Sequence, residues 1–218
     1  MDNSNKIILD LCGGTGAWSK PYKDDGYTIY NITLPNYDVK DWSVYCGIFI
    51  FPHFDYFQNI PRFIHIRLEQ IYGILSAPPC TMFSIARSRA KTSRDLKQGM
   101  ELVIACLNII WQCRYNTKLK FWCLENPMGY LRQFLGKPVM TFNPCDFGDP
   151  YTKKTDLWGY FNIPKKKPCK LTEKQKWDSK QNNLSKYPRY SDITGSKQVD
   201  KRAITPQGFA KAFYEANK

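Results

Sequence analysis

The chain has 218 residues, of which 43% are hydrophobic and 15% aromatic, and its formal net charge is +13. This length suits one α/β domain with a sizeable core, and the apolar content excludes an intrinsically disordered chain. No apolar stretch is long enough to span a membrane, and the polar segment 1–6 lacks the apolar core of a signal peptide. We therefore expect a soluble, intracellular protein with no membrane partner.

The positive charge is concentrated towards the end of the chain. Residues 1–150 contain 16 Lys and Arg against 13 Asp and Glu, whereas residues 151–218 contain 16 against 6. A basic surface of this size favours a polyanionic partner, with nucleic acid ahead of an anionic membrane. A solvated lysine-rich segment has the same composition, so charge leaves both interpretations open.

The cysteines and histidines do not form a metal-binding pattern. None of the eight cysteines is paired at the two-to-four-residue spacing of a zinc site, and only two histidines are present. The sequence therefore predicts no metal, and without a secretion signal it also predicts no disulfide framework.

The first predicted strand, 6–11, runs directly into a glycine-rich turn. Cys12-Gly13-Gly14-Thr15-Gly16 follows the strand, and a helix is predicted to begin at 17–19. Strand, glycine turn and helix in this order are typical of nucleotide-binding α/β folds, because glycine permits a tight turn and close approach of a ligand. The turn is not a P-loop, since no Gly-Lys-Ser/Thr follows it.

Further elements follow from apolar periodicity and capping residues. In chain order they are strand 27–33, helix 62–72, strand 71–75, an amphipathic helix at about 93–115, strand 119–124, and a final helix with Thr205 as N-cap and Pro206 at its first position. A basic loop is predicted at 85–97. The lysine-rich stretch 160–203 is predicted to be a peripheral insert.

Two of these strands end at residues whose side chains could take part in a reaction. Strand 71–75 runs into Ala77-Pro78-Pro79-Cys80, where the prolines end the strand and hold the thiol on a rigid turn, a suitable place for a nucleophile. Strand 119–124 ends at Glu125-Asn126-Pro127, which indicates an acid at the carboxyl edge of a parallel sheet. The alternatives are an inert core cysteine and a solvated or helix-capping acid.

Three segments in this order, Leu9–Gly16, Ala77–Ser84 and Glu125–Pro127, resemble motifs of the DNA (cytosine-5) methyltransferase family. A fourth, Thr205–Ala210, is similar to the last motif of that family. The resemblance covers nearly the whole chain and is greatest to short members encoded by phages and prophages, including those of restriction-modification systems. It implies a single domain, 1–218, with a Rossmann-like S-adenosylmethionine-dependent methyltransferase fold and a mostly parallel central sheet. It also implies the cytoplasm of a bacterial host.

The resemblance assigns roles to individual residues. It implies that Cys80 attacks cytosine C6 and that Glu125 acts at cytosine N3, so that C5 is methylated through a covalent Cys80–C6 adduct. S-adenosylmethionine is the implied cofactor, and a helix at 204–218 is implied to complete its pocket. The residues implied to bind the cofactor are Asp10, Leu11, Cys12, Gly13, Gly14, Thr15, Gly16, Asn31, Asp38, Pro78 and Ala210.

The implied partner is DNA, with the target cytosine flipped out of the helix stack. The residues expected to bind DNA are Ser84, Arg87, Arg89, Lys91, Arg94, Lys165, Lys166 and Lys167. The chain departs from the family in two places. It lacks a Gln-Arg-x-Arg motif, for which Lys153 or Lys154 would substitute as a point charge. The small basic insert 160–203 stands in place of a large target-recognition domain, so specificity is relaxed or is supplied by a protein partner.

Other functions remain open from the sequence. An amino-methyltransferase is disfavoured, because Cys80 stands where those enzymes carry an aromatic residue. A cysteine-dependent enzyme acting on other pyrimidine substrates, such as free nucleotides, is mildly disfavoured by the basic C-terminal third. A catalytically impaired protein that binds DNA and cofactor is the third alternative, and the missing arginine motif and the small recognition region keep it open.

Overall fold

The computed structural model describes residues 2–55, 60–85, 87, 91–116, 119–180 and 204–218. Nine strands are assigned in this part of the chain: β1 (Ile7–Leu11), β2 (Thr28–Ile32), β3 (Ser43–Tyr45), β4 (Ile48–Asp55), β5 (Ile60–Arg67), β6 (Ile71–Ser76), β7 (Phe121–Pro127), β8 (Met140–Phe142) and β9 (Thr155–Tyr160). The helices are α1 (Lys20–Asp24), α2 (Leu96–Asn116), α3 (Arg132–Leu135), α4 (Glu173–Lys180) and α5 (Gln207–Asn217).

Six strands form a central sheet in the order β2-β1-β6-β7-β9-β8. The pairs β1–β2, β1–β6 and β6–β7 are parallel, whereas β9 is antiparallel to both of its neighbours. Five strands therefore point the same way and β9 alone is reversed among the described strands of this sheet. This confirms the prediction of an α/β protein with a mostly parallel central sheet.

Burial on both faces explains why β1 is almost entirely apolar. All five of its residues are buried, and successive side chains point to opposite faces. Leu9 and Leu11 pack with Cys106 and Ile109 of α2 and with the small β3-β4-β5 sheet. Ile8 packs on the other face, in a second cluster that contains aromatic residues of α1 and α5.

The predicted helix at 62–72 is wrong. This region forms strand β5, which pairs antiparallel with β4, followed by a short 3-10 turn at Leu68–Gln70. Ile66 and Leu68 are buried whereas His65 and Arg67 are exposed, so burial alternates with the two-residue period of a strand. The three-stranded antiparallel sheet β3-β4-β5 therefore forms the connection between the parallel strands β2 and β6.

Several element boundaries also differ from the predictions. Helix α2 begins at Leu96, and α5 begins at Gln207 with Pro206 as the N-cap and no capping hydrogen bond from a side chain. Strand β9 has no counterpart among the predicted elements. No helix in the described residues is long and apolar enough to cross a membrane.

Candidate active site

The carboxyl ends of β1, β6 and β7 bring three of the sequence motifs to one edge of the sheet. Leu11 pairs with Ser76, and Ser76 pairs with Leu124, so the strands end side by side. The glycine turn follows β1, the Pro-Pro-Cys segment follows β6, and Glu125 lies near the end of β7. This edge is where α/β sheets place their ligands.

The reversal of β9 adds a fourth segment to the same edge. Thr155, the first residue of β9, pairs with Pro127, the last residue of β7. The backbone N–H of Met128 donates to the carbonyl oxygen of Lys154 at 2.9 Å. Lys153 is half-buried and Lys154 is exposed, so the two lysines that precede β9 are placed differently.

A buried side chain joins the Pro-Pro-Cys segment to the Glu-Asn-Pro segment. The side-chain amide of Asn126 donates to the carbonyl oxygen of Pro78 at 2.9 Å, and Asn126 is fully buried. This bond fixes the backbone two residues before Cys80 relative to the residue that follows Glu125. The two residues implied to perform chemistry are therefore on segments that are directly connected.

The backbone after Cys80 forms a single turn. The carbonyl oxygen of Cys80 accepts hydrogen bonds from the N–H groups of Phe83 and Ser84, at 3.0 and 2.8 Å. Ser84 then forms an isolated antiparallel bridge with Gly129. A Cβ atom at Gly129 would lie 2.3 Å from the carbonyl oxygen of Phe83, so this close approach requires glycine. Cys80 itself is half-buried and keeps access to the edge.

The surroundings of Glu125 favour its protonated form. Burial raises the pKa of this carboxyl above its usual range, the nearby Lys153 ammonium opposes the rise, and the Asp156 carboxylate adds to it. A carboxylic acid with a raised pKa stays protonated to a higher pH, and in that form it can donate a hydrogen bond or a proton.

The glycine turn after β1 lies over a buried carboxyl group. Asp10 is fully buried, and the hydroxyl of Ser19 donates to its Oδ2 at 2.5 Å. Burial raises the pKa of Asp10 to about 6, although the hydrogen bond from Ser19 lowers it in part. A Cβ atom at Gly13 would lie 2.3 Å from this carboxyl, so only glycine fits above it. In the described structure, Oδ1 of Asp10 is buried and has no hydrogen-bond partner.

Asn31 and Asp38 lie close to the same turn. Asn31 pairs with Asp10 in the sheet, and its side-chain amide donates to the carbonyl oxygen of Gly14 at 2.9 Å. The buried Oδ1 of Asn31 has no partner among the described residues. Asp38 accepts from the N–H of Lys40. The pKa of the Cys12 thiol is raised by its interaction with Cys106 and by burial, and to a smaller extent by the charges of Asp10 and Asp38.

Helix α5 packs beside the glycine turn, but the side chain of Ala210 lies in the core. Trp18 contacts Phe209 and Phe213 with ring centroids 5.7 and 5.4 Å apart. The buried carboxylate of Asp149 accepts from the N–H of Gly208 at 2.9 Å and so fixes the start of the helix at the carboxyl edge. Ala210 is almost completely buried in this aromatic cluster, so its side chain does not line the edge.

The basic residues predicted to bind DNA after Cys80 are placed unequally. Arg94 donates from Nη1 to the carbonyl oxygen of Met82 at 2.8 Å, and Arg87 donates from Nη2 to Oγ1 of Thr92 at 2.6 Å. Both arginines are half-buried, as is Ser84, whereas Lys91 is exposed. Arg89 lies outside the described residues.

The three consecutive lysines run alongside the 3-10 turn at Pro144–Phe147. All three are exposed, and the backbone N–H of Lys167 donates to the carbonyl oxygen of Asp146 at 2.9 Å. Lys166 forms an ion pair with Asp146 at 3.0 Å. This turn follows the end of β8, so the lysine-rich segment passes close to the carboxyl edge. Of the insert at 160–203, residues 181–203 lie outside the described part of the chain.

Sequence reasoning missed three residues that hold the site together. Asn126 links the two motif segments, Asp149 fixes α5, and Asp156 accepts two hydrogen bonds from Arg132, each of 2.6 Å. Asp156 is fully buried, and the hydroxyl of Thr141 also donates to it. Asn126 lies in the Glu125-Asn126-Pro127 segment and Asp149 precedes Pro150, but neither local pattern shows which distant groups these buried side chains contact.

Comparisons with known proteins give no match to this chain. No family model, no curated protein and no solved structure matches it. Within the described residues, no group of three or more His, Cys, Asp or Glu side chains is arranged to hold a metal ion. A functional assignment therefore depends on the residues and the geometry given above.

Proposed function

We propose that this chain is an S-adenosylmethionine-dependent methyltransferase that methylates C5 of cytosine in DNA. The observation that carries the proposal is the hydrogen bond from Asn126 to Pro78, which couples the Cys80 turn to the Glu125 strand end beside a glycine turn. A thiol and a carboxylic acid at adjacent strand ends are what covalent activation of a pyrimidine requires. The finer fold assignment, a Rossmann-like methyltransferase domain, is part of this proposal.

The residues around the glycine turn fit the proposed cofactor. Oδ1 of Asp10 and Oδ1 of Asn31 are buried acceptors without partners among the described residues, and S-adenosylmethionine carries ammonium and hydroxyl donors. Gly14 has a φ of +54°, and a Cβ atom added there would meet nothing within 4 Å, so the space above the turn is open. When bound, the cofactor supplies a methyl group on a sulfonium, which is an electrophile.

Cys80 and Glu125 then have complementary tasks. The Cys80 thiolate adds to C6 of the cytosine, and the electron pair of the C5–C6 double bond moves into the ring. Glu125, whose pKa burial raises, donates to N3 and so stabilises the adduct as an enamine with electron density at C5. A bound cofactor would supply the methyl group to C5. Loss of the C5 proton to a base would then restore the double bond and expel Cys80, and the N3 proton would return to Glu125.

Lys153 is the better candidate of the two lysines for a contact with the base. It is half-buried and acts on the charge of Glu125, whereas Lys154 is exposed. Its ammonium would contact cytosine O2 as a point charge, without the two-pronged geometry of arginine. Lys154 and the lysine-rich segment then contribute to phosphate binding.

DNA is the proposed substrate because the carboxyl edge is flanked by cations. Lys154, Lys165 and Lys167 are exposed near this edge, and the net charge of +13 favours a polyanion. The target base must leave the stack to reach Cys80. The short insert offers few side chains for reading bases, so we propose relaxed specificity or a protein partner that supplies it. The proposed location is the cytoplasm of a bacterial host.

Covalent trapping tests the proposal. Purified protein is incubated with S-adenosylmethionine and duplex DNA that contains 5-fluorocytosine, and the products are separated on a denaturing gel. Fluorine at C5 cannot leave as a cation, so the Cys80–C6 bond persists after methyl transfer. We expect a shifted band with the wild-type protein and with Cys46→Ser, an exposed cysteine at the β3–β4 turn, but none with Cys80→Ser.

Other outcomes identify the alternatives. A band that persists in Cys80→Ser would remove this thiol from the mechanism. No band over varied DNA sequences, together with measurable binding of cofactor and DNA, would favour a catalytically impaired binding protein. Methylation of free pyrimidine nucleotides but not of DNA would favour a cysteine-dependent enzyme with another substrate.

A further inference from the structure

Two exposed aromatic side chains lie beside the Cys80 turn and have no role in the chemistry proposed above. Tyr130 and Phe134 keep 48% and 47% of their surface exposed. The backbone N–H of Tyr130 donates to the carbonyl oxygen of Phe83 at 2.9 Å, which ties Tyr130 to the turn that begins at Cys80. Phe134 lies in α3 and packs edge-on against the buried Phe83.

The ring of Tyr130 is held in place by a cation. The guanidinium carbon of Arg94 lies 4.7 Å from the centroid of the Tyr130 ring, within the range of a cation–π contact. Arg94 is itself fixed by its hydrogen bond to the carbonyl oxygen of Met82. A ring that is already oriented loses little conformational entropy when a ligand stacks on it. The exposed half of Tyr130 is therefore a preorganised planar surface.

The charges on the segment that carries Arg94 indicate what this surface binds. Arg94 lies against the ring, and Lys91 and Lys97 are exposed just before α2 and in its first turn. Aromatic rings interleaved with cations are how proteins hold an unpaired nucleic-acid strand, because the rings stack on bases and the cations bind phosphates. Tyr160 is more exposed, at 71%, but it pairs with Trp122 near the start of β7, at the end away from the Cys80 turn.

We propose that Tyr130 is a stacking site for a nucleobase next to the flipped cytosine. The proposal rests on the function proposed above and extends it, because it names a second contact between this chain and the strand. Stacking is tolerant of base identity, so Tyr130 contributes affinity and holds the strand open without reading a sequence. This is consistent with a chain that has few groups for base recognition.

Oligonucleotide binding tests this inference without requiring methyl transfer. Fluorescence anisotropy measures the affinity for a labelled single-stranded cytosine-containing oligonucleotide of mixed sequence and for its duplex, over a range of salt concentrations. We expect Tyr130→Ala to weaken single-strand binding about tenfold at every salt concentration. The slope of log affinity against log salt stays unchanged, because stacking releases no counterions. Tyr130→Trp and Tyr130→Phe should bind within about twofold of the wild type, since both keep a ring.

A matched control and a cross-linking experiment separate stacking from folding. Tyr160→Ala removes a more exposed tyrosine from the other end of the sheet and should leave the affinity unchanged. With the wild-type protein, ultraviolet cross-linking to a 5-iodouracil-substituted oligonucleotide, followed by mass spectrometry, should place an adduct on Tyr130. The cross-link needs no variant, so it decides the matter even if Tyr130→Ala fails to fold.

The possible results distinguish this inference from the proposed function. Equal affinities of Tyr130→Ala and wild type, or adducts elsewhere and none on Tyr130, would overturn the stacking site and leave the covalent chemistry of Cys80 untouched. A Tyr130 adduct with no 5-fluorocytosine trapping would keep Tyr130 as a nucleobase-stacking site and overturn methyl transfer through Cys80. A wild-type protein that binds no nucleic acid would overturn both.

Discussion

Asn126 and Pro78 are joined by a fully buried hydrogen bond of 2.9 Å between segments that are 48 residues apart in the chain. The bond sets the position of the Cys80 turn relative to Glu125. Because the Asn126 side chain is fully buried, we infer that in the proposed mechanism it positions the reacting groups without contacting the substrate.

We expect Asn126→Ala to slow covalent trapping on the order of 100-fold, since a small misplacement of a nucleophile has an effect of this size. The free energy of unfolding should fall by about 1–2 kcal/mol, because the buried Pro78 carbonyl loses its partner. Cofactor affinity should change little. Trapping kinetics, calorimetric titration with S-adenosylmethionine and denaturant unfolding measure the three quantities. Asn108→Ala, at an exposed position of α2, is the control, and equal trapping rates in the two variants would contradict the positioning role.

Asp10 gives a prediction about pH and stability. The pKa of its carboxyl is about 6 in the folded protein, above the value of 3.8 for an exposed aspartate. Between these values the folded state binds a proton that the unfolded state lacks, so stability falls as the pH rises from about 4 to about 6. Asp10→Asn removes this titration and should raise the free energy of unfolding at pH 8 by up to about 3 kcal/mol relative to the wild type.

Urea unfolding from pH 4 to pH 8 measures the difference in free energy of unfolding between the wild type and Asp10→Asn. The contributions of other titrating groups largely cancel in this difference. The two stabilities should converge towards pH 4. The same substitution should weaken binding of S-adenosylmethionine, because the buried acceptor beneath Gly13 loses its charge. A difference in stability that does not vary with pH would show that Asp10 does not titrate in this range.

Local sequence signals predicted the ends of the strands better than the contacts between them. The glycine turn after Leu11 and the prolines before Cys80 interrupt apolar runs, and the structure has strand ends at both places. The prediction of a helix at 62–72 was wrong because two apolar patterns fit this segment almost equally well. The spacing of Phe63, Ile64, Ile66 and Leu68 agrees with one face of a helix nearly as well as with an alternating strand. Pairing with β4 decides between these patterns, and that contact is not encoded locally.

Contacts between residues distant in sequence also hold the candidate site together. The side-chain partners of Asn126, Asp149 and Asp156 described above are 15 to 59 residues away, so no spacing rule could have found them. The reversed strand β9 was missed because turn-forming residues surround it. Its reversal is nevertheless what brings Lys153 to Glu125, so the electrostatics of the candidate site depend on an element that the sequence did not predict.

The lysine-rich segment gives a prediction about salt dependence. Lys165 and Lys167 are exposed without a carboxylate partner in the described ion pairs, whereas Lys166 is paired with Asp146. Each lysine that binds a phosphate adds about 0.9 to the slope of log affinity against log salt for duplex DNA. Lys165→Gln with Lys167→Gln should therefore reduce the slope by roughly 2, and Lys166→Gln should reduce it less. Lys120→Gln, before β7 at the other end of the sheet, is the control. An unchanged slope in the double variant would place the DNA surface elsewhere.

Lys153 and Lys154 differ in their relation to Glu125, and this difference can be measured as a pH profile. The Lys153 ammonium lowers the pKa of Glu125 against the effect of burial, so Lys153→Gln should raise that pKa further. In the proposed mechanism Glu125 acts in its protonated form, and a higher pKa keeps it protonated to higher pH. In a plot of trapping rate against pH, the alkaline limb should therefore shift to higher pH in Lys153→Gln and stay in place in Lys154→Gln. If the alkaline limb of both variants coincides with that of the wild type, either Lys153 does not act on Glu125 or Glu125 does not act as the acid. Glu125→Gln separates these two cases, because it should remove the alkaline limb if Glu125 is the acid.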